Sequence, residues 1–181
     1  MIREIKSAYD GNYAIRGDTN DADCIIAQSF GYRNEHGIKA LDPVNIKLAR
    51  FVLEKADELD LRTILQVEVA VAYHALSAKK PTFTIDQSRN PIKYLDSWEV
   101  LEQSKELMTI LDLENPMIVA QAHHVGRVAL QAEKLDMSPI VPDGLPADFD
   151  DKSEQKWTRS RNLWIRKEIP GMPLLKVLGK L

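Results

Sequence analysis

The 181-residue sequence predicts an α/β domain built on a mainly parallel sheet of about five strands, and three observations carry that expectation. Short apolar runs alternate with longer stretches of helical period, as a sheet covered by helices requires. One run, residues 116–121, is apolar almost throughout, the pattern of a strand covered on both faces. Two helix starts carry clear capping chemistry, Asp42-Pro43 and Asp96-Ser97-Trp98-Glu99.

The first strand is expected at 23–28, followed by a polar loop from Ser29 through Arg33 to His36 and Gly37. Asp42 as N-cap and Pro43 at the first helical position then open a helix whose inward stripe is Leu48, Phe51, Val52, Ala56 and Leu59. Residues 62–66 form a second short strand and 67–77 a helix, although 64–69 can also be read as one longer strand. A third strand at 81–85, where Phe83 and Ile85 alternate with threonines, leads into a turn-rich loop at 87–93 containing Asn90-Pro91. The capping box at Asp96 and Glu99 starts the next helix, with Trp98, Leu101, Met108 and Leu111 inward. The apolar run at 116–121 is placed at the centre of the sheet, and a helix with Val125, Val128, Ala129, Ala132 and Leu135 inward begins at His123. A last strand at 139–141, an acidic loop at 142–151 and a helix at 153–168 carrying Trp157 and Trp164 complete the core. Residues 171–181 read as an apolar tail that packs on the body or on a partner. The chain is thus one domain, with its core at about 22–168.

With 24 basic and 27 acidic residues the net charge is −3, which gives no footprint for nucleic acid or an anionic membrane. The one cysteine, Cys24, lies in the first strand and cannot form an internal disulfide. The opening residues mix charges and lack the apolar core of a signal peptide, and no run reaches the length of a membrane span. A cytoplasmic protein is expected, free of nucleic acid and membrane partners.

In open parallel sheets ligands bind beyond the carboxyl ends of the strands, so the polar groups placed there are the candidate site. They are Ser29 and Arg33 after the first strand, Gln66 and Glu68 after the second, Ser97 at a helix start, and His123, His124 and Arg127 after the apolar run. His124 and Arg127, three residues apart, share one helical face and would set a proton carrier beside an anion clamp. In the enzymatic reading His124 transfers a proton, with Glu68 or Ser97 orienting it, while Arg33 and Arg127 hold an anionic group. The structural alternatives are a packed histidine, an Arg127 ion pair and plain helix capping by Asp96 to Glu99. Adjacent histidines lack the i, i+4 spacing of two metal ligands on a helix, and no metal site is expected. The glycine-rich dinucleotide fingerprint, the P-loop and the hydrolase elbow around a serine are all missing.

Four stretches of the chain resemble the YdcF-like family, which includes the bacterial envelope proteins SanA and ElyC: Ala22-Asp23-Cys24-Ile25-Ile26, Glu68, Asp96 to Glu99, and 117–127 with His124-Val125-Gly126-Arg127. The likeness runs from about Ala22 to Glu168 and is most specific at the His-x-x-Arg element. It implies a Rossmann-like three-layer α/β/α sandwich with a polar pocket at the strand ends, and nucleotide-like ligands such as S-adenosylmethionine. This chain has Gln28-Ser29-Phe30 and Leu65-Gln66-Val67 where the family usually carries glycine-rich turns. The functional expectation is a hydrolase or transferase acting on a phosphorylated or nucleotide-like metabolite. Its rivals are a non-catalytic nucleotide-binding module and an interaction protein that forms homo-oligomers through the apolar tail.

Overall fold

The computed structural model describes residues 9–35 and 38–180. Its strands are β1 (Cys24–Ala27), β2 (Arg33–Glu35), β3 (Ile38–Ala40), β4 (Arg62–Gln66), β5 (Phe83–Ile85) and β6 (Pro116–Val119). Its α-helices are α1 (Pro43–Leu59), α2 (Val67–Ser77), α3 (Ser97–Leu111), α4 (Ala122–Lys134) and α5 (Arg161–Val177). Four strands form a wholly parallel sheet in the order β5-β4-β1-β6. α1 packs on α2, and α3 on α4, so the helices cover the sheet as two pairs in a Rossmann-like α/β arrangement.

The strand count is four rather than five. The run at 139–141 contributes only one bridge to this sheet, in which Ile118 N donates to Ile140 O at 2.8 Å and Ile140 N to Pro116 O at 2.9 Å, and a second, antiparallel bridge joins Val141 to Arg16. The apolar run at 116–121 is correspondingly a flanking strand, with β1 on one side and only the Ile140 bridge on the other. β1 and β4 hold the centre. The apolar run of β6 predicts a central strand, and all four of its residues are covered, but the cover comes from helices and from the 140–141 segment. The loop after β1 also contains an unforeseen antiparallel pair, β2 with β3, in register Arg33↔Ala40. His36 and Gly37, assigned to that loop, lie outside the described residues, as do the first eight residues.

The local signals act as their chemistry requires. Asp42 caps α1 by accepting from Val44 N at 2.8 Å and Asn45 N at 3.1 Å, with Pro43 following. Gln66 ends β4 and is also the N-cap residue of α2, so the strand-then-helix reading of 62–77 holds. Asp96 caps α3 through Glu99 N at 2.9 Å. The return half of that capping box is absent: the Glu99 carboxylate accepts from Ser88 Oγ at 2.8 Å and Arg89 N at 2.5 Å, tying down the preceding loop.

The largest departure is at the C-terminus. Instead of one helix at 153–168 and a separate tail, a 3₁₀ turn at Lys156–Thr158 precedes α5, which Ser160 caps and which runs to Val177. Trp157 and Trp164 therefore belong to different elements. Most of the expected tail is helix, despite Pro170 and Pro173, which deny backbone donors to the carbonyls one turn earlier.

The order β5-β4-β1-β6 places a reversal of winding between β1 and β6, because β1 connects outward to β4 while β6 is reached from β5 across the sheet. The crevice at such a reversal opens beyond the carboxyl ends of the two strands. Its floor is the loop after β1, where Gly31 has φ +80° and a Cβ would lie 2.5 Å from both Ser153 Oγ and Thr158 Oγ1. Gly31→Ala should cost roughly 2–4 kcal/mol in urea unfolding, from left-handed strain plus overpacking. Gly144→Ala meets only Phe51 at 3.8 Å with φ +78°, and should cost about 1–2 kcal/mol, from strain alone.

Candidate functional site

A cavity of about 390 Å³ lies at this crevice, a size suited to a small metabolite. The β1 loop supplies Ser29, Phe30 and Gly31, the end of β4 supplies Gln66, the start of α3 supplies Ser97 and Trp98, and α4 supplies His124 and Arg127. The far wall comes from 155–175, including Trp157, Lys167, Glu168, Gly171 and Leu174. Of the residues expected at the site, Ser29, Gln66, Ser97, His124 and Arg127 meet in this one cavity.

The loop after β1 has run past the end of its pairing partners, so its backbone groups need side-chain partners. Ser29 N donates to Gln66 Oε1 at 3.0 Å, Phe30 N to Asn45 Oδ1 at 3.0 Å, and Asn45 Nδ2 returns a bond to Gly31 O at 3.0 Å. Gln28 Nε2 reaches Ser97 O at 3.0 Å, joining the same loop to the start of α3.

His124 is buried between Phe30, at 6.1 Å between ring centroids, and Trp164, at 5.3 Å edge-on. Burial above all, with the Arg127 and Lys167 charges, holds its pKa well below the usual histidine range, so the ring is neutral at pH 7. Nε2 lies 3.1 Å from Ser97 Oγ, while Nδ1 meets no partner among the described residues. A buried N–H without an acceptor is costly, which places the proton on Nε2 as donor to Ser97 Oγ. The Ser97 hydroxyl hydrogen is then free to point elsewhere. This pair lacks the third group that orients a histidine base toward a serine nucleophile.

Arg127 pairs with Glu168 through Nε and reaches Gln131 Oε1 at 3.3 Å, in a nearly covered ion pair. Lys167 is the next cation on that wall. Its ammonium stands 3.8 Å over the Trp157 ring, its outer side open to solvent, and burial together with Arg127 draws its pKa down to about 8. Asp96, on the opposite rim, is engaged by the cap and by Lys180 at 3.7 Å. Among the described residues the Arg127-Lys167-Glu168 wall therefore keeps one positive charge in excess.

Three expected site residues lie elsewhere. His123 turns to the other side of α4, against Phe149 at 5.1 Å, and its Nε2 is where a Cβ on Gly11 would come within 2.9 Å. Arg33 is locked by two bonds of 2.6 Å to Asp150 and does not line the cavity, so the two-arginine clamp does not form. Glu68 lines a neighbouring groove that shares Gln66 and Tyr94 with the cavity. The sequence does not single out Lys167, Trp157 and Glu168, because their helix begins at the Ser160 cap and not at the expected Ser153. Among the described residues no group of histidine, cysteine and acidic side chains could hold a metal ion. No protein-family model, curated protein or solved structure matches the chain.

The Arg33 ion pair extends inward to a second carboxyl. Asp42 and Asp150 are 2 % and 4 % exposed, and their side chains come within hydrogen-bonding reach of each other. Arg33 holds Asp150 below the usual carboxylate range, whereas burial pushes Asp42 up to about 6. Between pH 4 and 6 folded Asp42 keeps a proton that the unfolded chain releases, so its contribution to stability falls as pH rises. His124 has the opposite sign, because the unfolded ring takes up a proton below about 6.5 that the folded one refuses. Asp42→Asn keeps a capping oxygen and removes the first slope. Denaturant titrations of this variant should show stability climbing with pH relative to the parent, by up to about 1.4 kcal/mol per pH unit between 4 and 6. Parallel profiles would mean that Asp42 does not hold that proton.

Proposed function

We propose that this chain binds a phosphorylated or nucleotide-like small metabolite in the cavity at the β1 and β6 ends. The observation that carries this reading is the unbalanced positive charge of the Arg127-Lys167-Glu168 wall, set among Trp157, Trp98, Tyr94 and Phe30. An anionic group neutralises the excess charge while a flat ring lies against the aromatic side chains. The same charge disfavours the sulfonium of S-adenosylmethionine relative to a phosphate. The His-x-x-Arg element resembling the YdcF-like family supports the reading, since both of its polar residues line the cavity. No helix among the described residues is long and apolar enough to cross a membrane.

A second reading, a hydrolase or transferase, is favoured by the Ser97 Oγ to His124 Nε2 contact of 3.1 Å. A neutral imidazole there can accept a proton, from Ser97 or from a ligand hydroxyl, in the tautomer that carries its own proton on Nδ1. Binding comes first because the resting pair lacks an orienting group.

A thermal-shift panel of nucleoside mono- and diphosphates, followed by mass spectrometry after prolonged incubation, tests both readings. Lys167→Met should weaken any hit by about tenfold or more, the size of one charge-assisted contact. A hit recovered intact supports the binding module. Conversion that His124→Gln abolishes without loss of affinity supports the enzyme, and a panel without any stabilising compound overturns the proposal.

A further inference from the structure

The groove that holds Glu68 adjoins the cavity. It has a volume of about 530 Å³, and Gln66, Tyr94 and Leu95 line both spaces. Tyr94 stands at this junction with its hydroxyl accepting from Gln155 Nε2 at 2.5 Å. Beyond it the groove carries, among the described residues, Glu68, Asp86 and Lys93.

Gln66 supplies the link between the two lobes. It is 6 % exposed, and its Oε1 is taken by Ser29 N, which fixes the direction of the amide. Nothing among the described residues accepts from Nε2, and the residue borders both lobes. Two donor hydrogens of a nearly buried amide at the border of the two lobes thus lack an acceptor among the described residues, and an acceptor atom there would satisfy them. Resting on the function proposed above, we propose that the ligand is elongated and spans both lobes. Its anionic part lies against Arg127 and Lys167, an acceptor oxygen meets Gln66 Nε2, and an arm bearing hydroxyl or amino donors reaches Glu68 and Asp86. A nucleoside diphosphate carrying a polyhydroxyl group has this layout, and a bare nucleotide has only half of it.

Calorimetric titration of the full chain with UDP and with UDP-glucose separates the two cases. UDP-glucose should bind about tenfold more tightly, the yield of one or two additional hydrogen bonds. In the Glu68→Gln, Asp86→Asn double variant the two probes should come within about twofold of one another. Gln66→Glu keeps the acceptor for Ser29 N but loses the donor, and should weaken both probes with the melting temperature retained. Equal affinities for the two probes in the parent, or a double variant that preserves the difference, overturns the two-lobed ligand while leaving the anion-binding reading intact. Failure of both probes to bind overturns that reading and this proposal with it.

Discussion

The geometry of the site depends on how the five residues after β1 are held. A parallel strand that outruns its neighbours leaves amides and carbonyls without ladder partners, and here three of the amides are met by side chains from different parts of the chain. Gln66 at the end of β4, Asn45 in α1 and Ser153 before α5 take Ser29 N, Phe30 N and Tyr32 N in turn, and Gln28 reaches across to α3. A loop tied to four elements cannot shift without disturbing all of them. That is how an irregular stretch of backbone becomes a rigid floor for a pocket.

The second constraint is electrostatic. Arg33 neutralises Asp150, and Asp42, whose pKa burial raises to about 6, brings a second buried carboxyl to the group, protonated below that pH. Since Asp42 also caps α1, the helix start and the turn at Asp150 report to the same proton. Arg127 and Glu168 form a comparable pair at the other side of the cavity, fastening α4 to α5.

Much of this was legible in the sequence wherever the determining contact is local. Asp42-Pro43, Asp96 and the change of period at Gln66-Val67 each act within one helical turn, and the elements begin where those signals place them. The pairing of His124 with Arg127 was legible for the same reason, since residues three apart share a helical face. Helical spacing alone could not say which of the two adjacent histidines faces in, because neighbouring side chains diverge by about 100° around the axis. Nor could it find the partner of Arg33, which lies 117 positions away at Asp150. The wall formed by α5 rests on contacts that local spacing does not report, since Glu168 lies 41 positions from Arg127.

One position in that wall has a reach beyond its size. Gly171 borders the cavity in ordinary helical backbone, and a Cβ there would meet no atom within 4 Å. Packing therefore does not demand a glycine on that side of the chamber. Alanine, valine or leucine at this one residue would narrow the chamber stepwise without rebuilding its floor or its charges. Descendants of this scaffold could thus be retuned toward slimmer guests by single-codon changes.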